Sequence, residues 1–390
     1  MRSPLLARGR ALTGCICATL AAGLAGCTTT ATTPSVSGGT LSIYVSVPPG
    51  GAASQQAQDV LSAERLAFRQ APGGDTVGRF TLKVVTFEGK ELSDNARQAI
   101  GDSSTIAYLG ELMPGASADT IGITNALDVL QVSPTDTAVE LTQPSPAVPS
   151  SPTRYYESLS TYGRTFARVV PTDALEAKAL VAQMRAVGVK RLYIQTDGSA
   201  YAKALAYAVT SNASPNVTVV PAVQSADGVL YAGTSGAAAA AALNEAAASD
   251  PATKLFGSSA LAQTTFAGAL SPAAQRNTYV SSPGFTAADL PPQGRQFVTA
   301  FRAAYGHVPA TEAIFGYEAM AAVMAVLHEA GSSAANRTTV VHDFFGIRNR
   351  SSALGTYSIN QNGDTSIAPF VINRVKVGQL VPYKAIQEQG

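Results

Sequence analysis

Two successive runs of apolar strands alternating with amphipathic helices organise the chain. The first opens with an apolar stretch over 41–47 that enters a Pro-Gly loop and reads as a buried strand. A helix over 54–68 follows, with Ala57, Val60, Leu61, Ala67 and Phe68 on one side. Then come a strand over 80–87 rich in Val, Thr and Phe, a short helix over 93–100, a strand over 105–110, a helix over 114–126 and a short strand over 129–132.

The alternation then restarts. Asp173, with Glu176 three residues on, marks a helix start ahead of Leu180, Val181 and Met184. Strands over 191–195, 217–220, 229–232 and 254–256 are interleaved with helices over 202–210 and 235–248. The alanine run 237–242 lies inside the last of these and is read as plain helix, because alanine is the best helix former. Helices over 293–305 and 312–330 follow, and then strands over 356–359 and 367–375 around an Asn362-Gly363 turn. Strands alternating with helices build βαβ units, so the expected fold is α/β, with two Rossmann-like lobes built on parallel sheets.

One segment breaks the rhythm. The stretch 143–152 holds four prolines and several serines, followed by Arg154-Tyr155-Tyr156. Its proline density excludes a central strand or helix interior and predicts a long, surface-exposed loop, decoration more than function.

The N-terminus adds an address. Arg2, Arg8 and Arg10 precede a run of small and apolar residues over 11–26, the layout of an export signal and too short for a membrane span of about 20 residues. Leu24-Ala25-Gly26-Cys27 looks like a bacterial lipobox, which predicts a signal peptide over 1–26 and lipidation of Cys27. Residues 28–40, Thr-, Ser- and Gly-rich without charge, read with Cys27 as a flexible tether. The chain has three cysteines, and Cys15 and Cys17 fall in the leader, so no disulfide within the mature chain is expected.

Net charge is +1 with no basic block, which argues against nucleic acid. His307, His328 and His342 have no metal-site spacing, so neither a metal nor a cofactor is expected. Gly115-Ala116-Ser117-Ala118-Asp119 lacks the final glycine of a nucleophile elbow, no phosphate loop occurs, and no catalytic residues are assigned. What remains are loops at the carboxyl ends of strands, where open α/β sheets bind ligands. These are 47–51, 110–116, 133–137 and 197–201. Pro114 suits a first helical turn, which would leave the amides of Gly115 and Ala116 facing an anionic ligand group.

In the order and spacing of these loops the chain resembles the type I periplasmic-binding-protein family, and within it the leucine/isoleucine/valine-type receptors of ABC importers. The likeness rests on Ala63-Glu64 in the first helix, on Ser133-Pro134-Thr135-Asp136-Thr137 running on to Glu140-Leu141-Thr142, and on Asp197 to Tyr201. Phe315-Gly316-Tyr317-Glu318-Ala319 and Gly363-Asp364 complete it.

The resemblance implies two lobes, 41–168 with 284–353 and 169–283 with 354–390, joined by three crossover strands near 168–171, 281–283 and 354–359. It implies a small polar ligand held between the lobes by hinge closure, a membrane permease as partner, and a lipid-anchored monomer outside the cytoplasm. The ligand-binding residues it implies are Pro49, Gly50, Met113, Pro114, Gly115, Ala116, Thr135, Asp136, Thr137, Tyr201, Thr234, Ser259 and Tyr317. Among them Thr137 matches the family's ligand-gripping threonine, Thr135 the residue offering its carbonyl to the ligand amine, and Tyr201 the second-lobe tyrosine.

Three matches depart from the family pattern. Pro114 stands where a serine grips the ligand carboxylate, Ser259 where an acid pairs with the ammonium, and Thr234 where a second tyrosine stands. An ammonium opposite Ser259 would lack a charge partner, so the expected ligand is not a simple α-amino acid. The Pro-rich segment would flank the cleft or the permease contact, or neither. A sensor or regulator of a membrane or cell-wall partner is the alternative function.

Overall fold

The computed structural model describes residues 35–50, 54–156 and 163–387. Cys27, the leader and the first part of the tether lie outside the described residues.

The first sheet grows from strands β1 (Thr40–Ser46), β2 (Thr76–Val77), β3 (Phe80–Phe87), β4 (Thr105–Leu109), β5 (Leu130–Ser133) and β6 (Phe166–Arg168). Their order across the sheet is β2-β3-β1-β4-β5-β6. β1 pairs in parallel with β3 and β4, and only the short β2 runs antiparallel. Helices α1 (Gln55–Gln70), α2 (Leu92–Gly101) and α3 (Ile121–Asn125) connect them. β1 is buried from Leu41 to Ser46, as a central parallel strand covered on both faces must be.

The second sheet is made of β7 (Arg191–Thr196), β8 (Thr218–Val219), β9 (Gly228–Ala232), β10 (Lys254–Gly257) and β11 (Thr278–Pro283), with helices α4 (Asp173–Ala186), α5 (Ala200–Ala213), α6 (Gly236–Ser249), α7 (Thr264–Ala269) and α8 (Pro272–Asn277). The chain then returns to the first sheet with α9 (Pro292–Tyr305), α10 (Ala313–Ala330) and α11 (Arg337–Phe345). A small antiparallel pair follows, β12 (Arg350–Ser352) with β13 (Gly355–Tyr357). β14 (Pro369–Lys376) and β15 (Gln379–Gln387) finish the second sheet, whose order is β15-β14-β11-β10-β9-β7-β8. The chain thus passes between the sheets after β6, after β11 and before β14.

α10 packs along α1 in the core of the first half. Its Gly316 lets the helices meet, since a Cβ there would stand 2.5 Å from the Val60 carbonyl oxygen. Among the described residues the segment Ala313–Ser333 is the one helix long and apolar enough to cross a membrane, and most of it is buried inside the protein.

Three expectations change. The helix expected over 114–126 is a 3-10 turn, Ala116–Asp119, followed by the short α3, because the amides at its start bond to a distant side chain described below. The strand expected over 356–359 shortens to β13 and pairs with β12, while β14 pairs with β11 and β15; the turn at Asn362-Gly363 keeps only an isolated Ile359–Thr365 bridge. The Pro-rich segment is no exposed decoration. Val148 is 3% exposed and Tyr156 1%. Val139 and Val148 pack with Ala204 of α5, and Tyr155 and Tyr156 join the core that contains Leu180 and Leu205. The segment straps the first half to helices of the second, since its apolar side chains find cover there.

Candidate ligand site

The carboxyl ends of β4 and β5 meet the end of β10 over the inner of two adjoining chambers. The inner chamber, about 40 Å³, is lined from one side by Ser54, Gln56, Val60, Met113, Pro114 and Thr135 and from the other by Ser259, Ala260 and Gln263. That volume holds a water or two and no amino acid. Gln56 and Glu312 also line the outer chamber, about 260 Å³, with Asp59, His307, Ser282 and Asn373 among its other walls.

The loops forming the floor are tightly pinned. Gly115 has φ of 82°, a left-handed conformation that favours glycine, and this turns the Gly115 and Ser117 amides the same way. They donate to the two oxygens of Asp136, at 2.7 and 2.9 Å, and the Ala138 amide adds a third bond at 3.1 Å. Ser133 Oγ accepts from the Asp136 amide at 2.8 Å and donates to the Glu111 carbonyl at 2.7 Å. Thr135 Oγ1 donates to the Leu112 carbonyl at 2.6 Å. Burial pushes Asp136 above the usual carboxylate range, opposed by the nearby Arg168 guanidinium and by these amides.

Behind the floor lies a buried charged row. Arg168 donates from Nη1 to the Asp136 carbonyl at 2.7 Å and from Nη2 to Thr142 Oγ1 at 3.0 Å. Its Nε stands 3.0 Å from Asp364 Oδ1, an ion pair without hydrogen-bond alignment. Asp173 accepts from the Val139 amide at 3.1 Å, while its other oxygen, Glu140 Oε2 and Thr137 Oγ1 have no hydrogen-bond partner among the described residues. Burial raises Glu140 to about 7 and Asp173 well above its ordinary value, and the charge of Glu140 raises Asp173 further.

In the second half, Glu176 accepts from the Ser259 amide at 2.6 Å, from Ser259 Oγ at 2.8 Å and from Ser281 Oγ at 2.6 Å. Tyr201 Oη lies 3.4 Å from Ser259 Oγ. Burial lifts Glu176, against the pull of these hydroxyls, and holds the Tyr201 phenol well above its ordinary value.

No family model and no curated protein matches the chain. Solved structures do. The leucine-binding protein LivK of Thermotoga maritima is 20% identical, with a TM-score of 0.72 over 89% of this chain and 99% of that one. LivJ of Streptococcus pneumoniae, solved with isoleucine, is 16% identical with a TM-score of 0.70 over 90% and 100%. A solute-binding protein of R. palustris, solved with benzoate, is 16% identical with a TM-score of 0.67 over 90% and 98%. The chain has the fold of a type I periplasmic binding protein.

Within this type I fold the expected site residues are placed unevenly. Met113, Pro114, Thr135 and Ser259 line the inner chamber, with Tyr201 bonded behind Ser259. Asp136 and Thr137 lie wholly buried beneath it. The other expectations need correction. The Gly115 amide is taken by Asp136 and the Ala116 amide by the Met113 carbonyl at 3.0 Å, so neither is left for a ligand anion. Pro49 and Gly50 are exposed and line neither chamber. Thr234 is exposed too, its amide and hydroxyl held by Asp197 at 2.7 and 3.2 Å. Tyr317 sits between helices, its ring 5.0 Å from that of Phe297 and its hydroxyl 3.1 Å from Gln70. Ser259 is not far from an acid, as Glu176 stands directly behind it.

Sequence reasoning missed Gln56, Asp59 and Glu312. Asp59 accepts from Gln55 Nε2 and the Ala310 amide, both at 2.8 Å, and lies 2.8 Å from His307 Nε2. That carboxylate raises His307 above its ordinary value. Burial raises Glu312 to about 8, opposed by a hydrogen bond with Gln56. A signal was present: Ser54 caps α1 by accepting from the Ala57 amide at 3.1 Å, which aims the start of that helix at the chambers.

Proposed function

We propose that the chain is an extracytoplasmic, lipid-anchored solute receptor of an ABC importer. It binds a small polar ligand between two lobes, 41–168 with 284–353 and 169–283 with 354–390. The observation that carries this reading is a pair of adjoining chambers, the inner walled by Met113, Pro114 and Thr135 on one side and Ser259, Ala260 and Gln263 on the other, the outer by Gln56, Asp59 and Glu312 on one side and Ser282 and Asn373 on the other. The solved proteins of this fold support it, one being a leucine-binding protein and others having been solved with isoleucine and with benzoate. A ligand touching both walls favours the closed arrangement over the open one, because only there are both sets of contacts made. Cys27 would carry the anchor and a membrane permease would read the closed form.

The test is calorimetry and thermal shift against amino acids, amides, aromatic acids and sugars. A ligand selective for the folded state raises Tm, by about 2.7 kcal/mol of stability at 100 times its Kd. No response to any class removes the reading. With no tryptophan in the chain, the assay needs an extrinsic dye or calorimetry.

A second reading, a receptor-like lipoprotein that senses or regulates a membrane or cell-wall partner, is favoured by the strap over 138–156. Its burial of Val139 and Val148 against Ala204 works against wide opening. Copurification of a partner protein together with the absence of any small-molecule response selects it.

A further inference from the structure

We infer that Asp136 is a built-in occupant of the cleft's anion position. The ligand is then a small uncharged solute bearing hydroxyl or amide groups and no carboxylate, seated in the outer chamber against Gln56, Ser282, Glu312 and Asn373. This rests on the receptor reading above and narrows it.

Three observations carry the inference. The first is that the donors an incoming carboxylate would use are already bonded. The Gly115 and Ser117 amides converge on the Asp136 oxygens at 2.7 and 2.9 Å, and the Ala138 amide adds a third bond. Hydrogen bonds to a charged acceptor are the strong ones, and Asp136 is fully buried on the protein's own backbone, so no solute acid displaces it by mass action. The inner chamber next to it, about 40 Å³, leaves no room for a second carboxylate with a side chain.

The second observation concerns charge. Among the described residues neither chamber is lined by lysine or arginine, while Asp59 and Glu312 both face the outer one. A carboxylate desolvated there would meet these acids, since the basic side chain of that wall, His307, is already paired with Asp59 at 2.8 Å. Nor do these acids call for a cationic ligand. Asp59 is satisfied by Gln55, the Ala310 amide and His307, which is 2.8 Å away. Glu312 bonds with Gln56, and burial raises it to about 8, so it is protonated at neutral pH.

The third is the chemistry that is left. Asn373 Nδ2 donates to the Val280 carbonyl at 3.2 Å and to Ser282 Oγ at 2.9 Å, and Gln56 bonds with Glu312, so these side chains are held in place along the wall. Beside them the Ser282 and Thr311 hydroxyls, the Gln56 and Asn373 carboxamides and the Glu312 carboxyl border the chamber as a mix of donors and acceptors. Such a wall pairs with groups that both give and take hydrogen bonds. The outer chamber, about 260 Å³, lies just under the usual 300–1,000 Å³ of ligand pockets, which fits a solute the size of a monosaccharide or a small amide.

The experiment compares the wild-type protein with Asp136→Ala and Gln56→Ala. Each is followed by thermal shift and calorimetry against leucine and benzoate, against glucose, myo-inositol and nicotinamide, and against putrescine as a cation. For the wild type we expect a Tm rise of several degrees with at least one uncharged probe and none with leucine, benzoate or putrescine. Gln56→Ala should weaken the uncharged probe at least tenfold. Asp136→Ala frees three amides and the space of one carboxylate. With formate added to its panel, it should gain measurable binding of formate, the one acid small enough to take that place. If that variant does not fold, the wild-type panel and Gln56→Ala decide alone. Wild-type binding of leucine or benzoate, or of putrescine without any uncharged probe, overturns the inference and leaves the receptor reading intact. A wild-type protein that answers no probe of any class overturns both.

Discussion

The floor of the cleft is built around charged side chains, Arg168 with Asp136 and Asp364, whereas the chamber outside it is walled by carboxamides and hydroxyls with no lysine or arginine among the described residues. In the floor, Asp136, Arg168, Asp364 and Thr142 bond to one another and to backbone amides. In the outer chamber, Gln56, Ser282 and Asn373 face a space of about 260 Å³. The difference lies in the space beside the groups. A buried polar group without a bond costs about 1–3 kcal/mol, and the floor bonds most of its groups internally, with Thr137 Oγ1, Glu140 Oε2 and one oxygen of Asp173 left over among the described residues. The groups of the outer chamber are bonded too, Asn373 to the Val280 carbonyl and Ser282, and Gln56 to Glu312, but they border a space that a solute can enter. A cleft can therefore be rich in polar residues at its deepest point and still bind nothing there.

The comparison makes ranked predictions. Arg168→Ala strikes the floor hardest, leaving Asp364 and the Asp136 carbonyl without their buried cation. Breaking a buried pair from one side should lower stability by about 3–5 kcal/mol in urea denaturation. A loss under about 1 kcal/mol would mean that the floor is not held by its internal bonds. Next is the strap: Val148→Ala removes two buried methyls that pack near Val139 and Ala204 and should cost about 2 kcal/mol. It should also quicken hydrogen exchange at the start of α5, whereas an unchanged exchange pattern would detach the strap from the second half.

Third comes pH. Glu312 has a folded value of about 8, above the ordinary 4.5, so between these values the folded state holds more protons than the unfolded one. Its contribution is complete below pH 4.5 and is lost as pH rises through 8, and stability should fall from pH 5 to pH 8. Glu64 at about 8 and Glu111 at about 7 act in the same direction. Glu312→Gln should shrink the fall by at least about 1.4 kcal/mol, the equivalent of one pH unit. A fall unchanged in the variant would locate the effect away from the chambers. The smallest effect belongs to the rim, where Gln55→Ala removes the exposed amide that bonds Asp59. It should move stability by no more than about 0.5 kcal/mol. A larger loss would erase the distinction between rim and floor.

Much of the fold was legible because periodicity reports burial. The strand over 80–87 and the helix beginning at 54 fall within a residue or two of β3 and α1. Elements whose partners are distant in the chain were harder. β15 escaped notice because Pro382 and polar residues interrupt its pattern, and it is a strand only through its pairing with β14. The Pro-rich segment read as an exposed loop because proline density reports what backbone it cannot form, not which surface covers Tyr155 and Tyr156.

The lining of the inner chamber was legible at Met113, Pro114, Thr135 and Ser259, which follow the ends of β4, β5 and β10. It was not legible at Glu312. An acid before a helix reads as a favourable terminal charge, and its burial depends on residues near Ser282 and Asn373 in the other half. Nor could spacing reveal that Asp136 reaches back 21 residues to the Gly115 amide.

The ends of the two sheets have a consequence for behaviour in a crowd. Among the described residues, three of the four edge strands of the two large sheets, β2, β6 and β8, are only two or three residues long. The fourth, β15, carries Pro382, which has no amide hydrogen to offer, and Lys384, and its pairing with β14 shifts register between Ile372 and Asn373. A neighbouring copy that arrives edge-on finds no long, flat row of free backbone groups on which to add a strand. Molecules of this shape can be packed side by side at high density without their sheets fusing.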